Sequence, residues 1–199
     1  MSNALKKKNS LKPKDYDKRF AIQNYRRDVR LSEDCFTEVF YSMQLINVSV
    51  LWMSEEDGGF NFTKQKLKNF NNILIRHNQS YDDGGFMATE VEESHKKNLG
   101  FDCYMEAKSF PYRPKMKMYG KKIKSMRNHN IVLESVNGAI ETYLILAVHT
   151  LRENYRFSKD MIWKWWNKCK EVSFLYADGA TDKFVIQYLN DECGLKIEL

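Results

Sequence analysis

The chain is predicted to be all-α, and three features predict it. Only 3 prolines and 9 glycines punctuate 199 residues, too few for an all-β chain built on tight turns. Apolar residues recur at helical spacing, and no strand-like alternation of useful length occurs. One plan also occurs twice: FTKQKLKNFNNILIRHNQSYDDG (62–84) lies over FSKDMIWKWWNKCKEVSFLYADG (157–179) at an offset of 95 residues. Phe62 pairs with Phe157, Thr63 with Ser158, Leu67 with Ile162, Phe70 with Trp165, Tyr81 with Tyr176 and Gly84 with Gly179. Upstream, LINVSVLWM (45–53) sits where YLILAVHTL (143–151) sits, out of step across the loop. Solenoid periods run at roughly 20–50 residues, so this spacing predicts two tandem three-helix units rather than an array.

The elements follow in order. Residues 1–30 form a basic arm and helix, polar and lysine-rich to residue 13, then helical from Asp15 to about Arg30 with Tyr16, Phe20 and Val29 as buried candidates. The first unit, 31–107, opens with a new helix at Ser32, where Glu33 and Asp34 would meet the positive end of a helix dipole. A loop marked by Gly58, Gly59 and Phe60 leads to the helix capped by Thr63, with Phe62 and Leu67 spaced as a hydrophobic staple. Thr89 and Glu92 form a capping-box pattern, and Gly100 supplies the stop. Short extended pieces are expected at 101–105 and 195–199. A basic connector, 108–130, leads to the second unit, 131–199, with helices over 131–154, 158–174 and 182–193.

Three tryptophans crowd the second unit: Trp163, Trp165 and Trp166. Ile162, Trp165, Trp166 and Cys169 fall at i, i+3, i+4 and i+7, one apolar stripe, and Leu67, Phe70 and Leu74 repeat it in the first unit. Core packing accounts for Trp165 and Trp166. Trp163 lies off the stripe, opposite Lys68 in the alignment, and is the aromatic expected at an interface.

Charge is unevenly placed. The total is +6, yet residues 1–30 carry 10 basic and 3 acidic side chains, and residues 108–133 carry 8 basic and none acidic. Phosphate contacts need Lys and Arg, and aromatics stack on unpaired bases. The candidate nucleic-acid-binding residues are therefore Arg19, Arg26, Arg27 and Arg30 on the first segment. On the second they are Tyr112, Arg113, Lys115, Lys117, Tyr119, Lys121, Lys122, Lys124 and Arg127. The alternative is an internal strap, with the basic connector docked on the net-negative body at 31–107.

Catalytic signatures are lacking: there is no phosphate-binding glycine loop, GxSxG, HExxH or CxxC. The reading leans against an enzyme, and no cofactor or metal is expected. His77, His95, His129 and His149 share no spacing; His149 reads as a hydrogen-bonded core residue and His95 as part of a solvated face. Four scattered cysteines suit reduced, buried thiols. Residues 131–151 are strongly apolar but contain Glu134, Asn137 and Glu141, which predicts a buried helix rather than a bilayer span. The N-terminus lacks an apolar core, so neither a signal peptide nor a membrane partner is expected.

Gly59 to Phe70, Arg156 to Trp165 and Asp191 to Leu195 carry a resemblance. The pattern is similar to that of small helical proteins of unassigned function encoded by phages and prophages of Gram-positive bacteria, which often have G-F-G-x-x-[RK]-L here. This chain places Phe62 and Phe157 where that pattern has its second glycine. The resemblance implies a mobile-element protein in bacterial cytosol and no particular functional residue. The expected function is non-enzymatic binding of nucleic acid or a nucleoprotein; the alternative is a protein–protein module, a homo-oligomer or an inhibitor of a host factor.

Overall fold

A computed structural model describes residues 13–82, 87–111 and 126–178, together with Gln187 and Asp191. Among the described residues there are six helices: α1 (Pro13–Trp52), α2 (Lys64–Asp82), α3 (Ala88–Leu99), α4 (Cys103–Ser109), α5 (Met126–Tyr155) and α6 (Lys159–Asp178). The all-α prediction holds, and no strand occurs among them. Of the last predicted helix, 182–193, only Gln187 and Asp191 are described, both helical; the tail at 195–199 and the Asp-Gly turns at Gly84 and Gly179 lie outside the described residues.

The organising element is α5. Every residue from Thr142 to Val148 is buried, so this stretch has no polar face and must be enclosed on all sides. All five other helices pack against it. It is long and apolar enough to cross a membrane by length and composition, but most of its apolar window is covered by protein.

α1 runs parallel to α5. Asp28 meets Arg127, Ser32 meets Ser135 and Phe40 packs edge-on against Tyr143, so both helices advance in the same sense. α2 and α6 then cross over to the other long helix. α2 lies on α5, where the Tyr155 hydroxyl donates to the Lys66 carbonyl at 3.0 Å. α6 lies on α1, where the Trp165 indole donates to Asn47 Oδ1 at 2.6 Å.

Both junctions use the same local chemistry. Asn61 and Arg156 take positive φ, 49° and 56°, a left-handed turn that reverses the chain. The next residue folds back under the preceding helix: Phe62 N–H donates to the Leu51 carbonyl and Phe157 N–H to the Leu151 carbonyl. Thr63 Oγ1 and Ser158 Oγ then accept the N–H groups of Lys66 and Met161, each at 3.3 Å, as N-caps do. Phe62 and Phe157 meet edge to face with centroids 6.2 Å apart, and Phe60 lies 4.9 Å from Phe157. Gly59 is required in this junction: a Cβ there would sit 2.3 Å from the Met53 carbonyl oxygen.

Three local expectations are corrected. Ser32 does not start a helix; α1 continues unbroken from Pro13 to Trp52, because packing along α5 outweighs the local start signal. The Thr89–Glu92 capping box is not formed; α3 begins after Met87 without a side-chain cap, while Gly100 ends it at φ 63° as expected. Residues 103–105 are helical rather than extended, since Asp102 accepts the Met105 N–H and caps α4.

One hydrophobic core joins both halves. Trp165 and Trp166 are fully buried within it, as the stripe predicts. Trp166 stacks on Phe110 and donates to Glu106, which also accepts from Lys170 at 2.6 Å. Trp165→Ala is expected to cost about 3–5 kcal/mol through the cavity it leaves, and it also orphans Asn47. Urea unfolding checks this, with Phe174→Ala, an exposed site, expected to stay within ~0.5 kcal/mol of wild type.

Candidate nucleic-acid interface

Along α1, Arg26, Arg27 and Arg30 are exposed to solvent. The start of α5 presents Arg127, whose side chain is 68% exposed. Parallel packing brings Arg27 and Arg127 to one partner, Asp28, although about a hundred residues separate them. Asp28 fixes the junction: its carboxylate is only 10% exposed and lies 2.6 Å from the Arg127 guanidinium and 3.9 Å from that of Arg27. A buried carboxylate needs such a partner, so Asp28 holds Arg127 at the rim.

An open groove of about 520 Å³ lies between α1 and α5. Tyr25, Val29 and Phe36 line one wall, Ile131 and Gly138 the other, and Ser32 and Ser135 share a hydrogen bond of 2.8 Å across it. Tyr25 is 68% exposed and is the aromatic of this site that sequence reasoning missed. Its spacing from Ile22 and Val29 reads as a core stripe, yet the fold leaves it in solvent.

Arg19 lies in α1. Tyr112, Arg113, Lys115, Lys117, Tyr119, Lys121, Lys122 and Lys124 lie outside the described residues. Trp163 departs from the expectation of an exposed interface aromatic. It is half-buried, its indole donates to the Leu99 carbonyl at 3.2 Å and its ring packs on Phe101, because α3 closes over α6 at that point.

The histidines converge where the sequence shows no pattern. His77 of α2, His95 of α3 and His149 of α5 gather with ring centroids 5.1 Å (His77–His149) and 6.3 Å (His95–His149) apart. His95 is 2% exposed rather than part of a solvated face, because α3 turns that side onto α5. His77 Nδ1 lies 3.1 Å from the Thr150 hydroxyl, whereas His95 Nδ1 has no hydrogen-bond partner. Burial, then the His149 imidazole and the Arg152 guanidinium, push His95 down to about 4. Burial also lowers His77, with His149 and Arg76 adding to it, and lowers His149 against the pull of Glu153. Among the described residues no group of His, Cys, Asp and Glu is arranged to hold a metal. Burial raises Cys35 to about 11 and holds the Cys103 and Cys169 thiols still higher, so none is poised as a thiolate nucleophile.

No family model matches the chain, and neither does any curated protein or solved structure.

A pH dependence follows from the histidine cluster. His95 is neutral in the fold and takes a proton near 6.5 once unfolded, so its contribution is complete above about pH 6.5. It is lost as pH falls toward 4, by ~3 kcal/mol for a shift of this size. The urea midpoint is expected to fall over that window, and His95→Leu to flatten the fall relative to wild type. An unchanged slope in the variant would place the acid sensitivity in the carboxylate pairs instead.

Proposed function

We propose that this is a non-enzymatic nucleic-acid-binding protein of the kind encoded by phages and prophages, acting in bacterial cytosol, and that its halves derive from one duplicated unit. The single observation that carries the binding reading is the set of exposed guanidiniums on α1 and α5, Arg26, Arg27, Arg30 and Arg127, together with an open groove between those helices lined by Arg127 and the exposed Tyr25. Guanidinium groups match phosphate geometry and release counterions on binding. The basic connector, Arg113 to Lys124, immediately precedes Arg127 in the sequence and adds further positive charge to the chain.

Three features support the duplication: the parallel long helices, the crossed packing of α2 on α5 and α6 on α1, and the mutual contact of Phe62 and Phe157. Contact between equivalent residues is the mark of an interface with two-fold character. The mobile-element setting rests on the resemblance of the Gly59–Phe70 motif.

A second reading, a protein–protein module, has its own observation. Met87, Tyr104 and Met105 are exposed on α4 and just before α3, Met105 by 58%, and they offer an apolar contact. That surface predicts a salt-tolerant oligomer or complex.

Fluorescence anisotropy with short DNA and RNA oligonucleotides at about 50 and 200 mM salt separates the two readings. Binding is expected to weaken steeply at the higher salt, with a log–log slope of about one per phosphate contacted. Arg26→Glu with Arg30→Glu is expected to weaken it about tenfold or more at low salt, and Lys121→Glu with Lys122→Glu and Lys124→Glu to do likewise. Absence of binding at low salt overturns the reading.

A further inference from the structure

The groove between α1 and α5 selects among nucleic acids, an inference that rests on the binding function proposed above. We infer that it receives an unpaired base of a single-stranded nucleic acid, stacked on Tyr25, while the flanking phosphates run over Arg26, Arg30 and Arg127.

Four observations lead there. Tyr25 is exposed in the lining of the groove, three residues after Ile22, which is also exposed, in a chain that fully buries Trp165, Trp166, Tyr143, Phe70, Phe101 and Phe110. An aromatic face set among arginines is the usual platform for an unpaired base, because every base has a π-face and every linkage a charge. The groove volume, about 520 Å³, lies within the roughly 300–1,000 Å³ of pockets that enclose small molecules. Gly138 keeps the α5 wall open: a Cβ built there meets nothing within 4 Å. Finally, the lining carries the carboxylates of Asp28 and Glu134 beside the Arg127 guanidinium, and Arg127 is 68% exposed and paired with Asp28. Two acids in the lining disfavour a phosphate deep in the groove, whereas a neutral base fits there with its phosphate on exposed Arg127. A duplex keeps its bases stacked and would touch only the rim.

Two substitutions test the groove without touching the charges. Tyr25→Ala removes the stacking face, and Gly138→Leu fills the open wall while replacing a helix-interior glycine with a better helix former. Affinities are measured by anisotropy for a labelled single-stranded oligothymidine and for a duplex of the same length, at about 50 mM salt. Wild type is expected to prefer the single strand. Tyr25→Ala is expected to weaken single-strand binding about 5- to 100-fold, the size of one lost stacking contact. Duplex binding should not change, and Tyr25→Phe should restore the preference. Gly138→Leu is expected to act in the same direction with an unchanged thermal melt. Equal affinity for the two forms, or single-strand binding indifferent to both substitutions, overturns the groove inference while leaving the electrostatic one standing. Loss of all binding at low salt removes both. A groove filled instead by an apolar side chain of a second copy would show as a salt-tolerant dimer broken by Gly138→Leu, and that result also overturns it.

Discussion

Enclosing α5 is the constraint on which the rest of the structure depends. From Thr142 to Val148 every residue is buried, and a helix apolar on all faces is stable in water only when other elements cover it completely. At ~25 cal/mol per Å² of apolar surface removed from water, the gain outweighs modest local preferences in the covering helices. α1 shows this most directly. Ser32, Glu33 and Asp34 carry a helix-start signal worth about 1 kcal/mol, yet the helix runs straight through them along α5.

The covering helices reach α5 through two junctions built alike. In each, one residue in the left-handed region turns the chain and the next, a phenylalanine, returns under the helix it has just left. Because Phe62 and Phe157 then touch, the junctions support each other, and α2 leaves them to cover α5 while α6 leaves them to cover α1. Beyond these covered regions, the contacts of the first described turns of α1 and α5 run between those two helices: Asp28 to Arg127, Ser32 to Ser135, Cys35 to Val132. The groove lies between that pair of helices, where Arg127 of α5 and Tyr25 of α1 line it together.

Much of this was legible in the chain. The N-caps at Thr63 and Ser158, the stop at Gly100 and the burial of Trp165 and Trp166 all follow from spacing, because caps and stripes are set by residues within one or two turns. The arginines were legible as a charge excess. Tyr25 was not, since an apolar position three residues after Ile22 and four before Val29 looks the same whether a partner helix covers it or diverges from it. Trp163 failed in the opposite sense: off its own helix's stripe, it is covered by α3 through the Leu99 carbonyl and Phe101. His95 failed likewise, with charged sequence neighbours on a helix that nonetheless turns it inward.

The sequence by itself determined the helical class, most of the helix positions and the two basic segments, because propensity, capping and periodicity act over a few residues and need no partner. Only the tertiary structure decided that α1 is one helix, that three histidines from three helices meet, and that Arg27 and Arg127 share Asp28 beside a groove between α1 and α5. Those outcomes depend on which surface each helix buries against α5. That choice is made by the total area covered, a property of the whole assembly rather than of any local stretch.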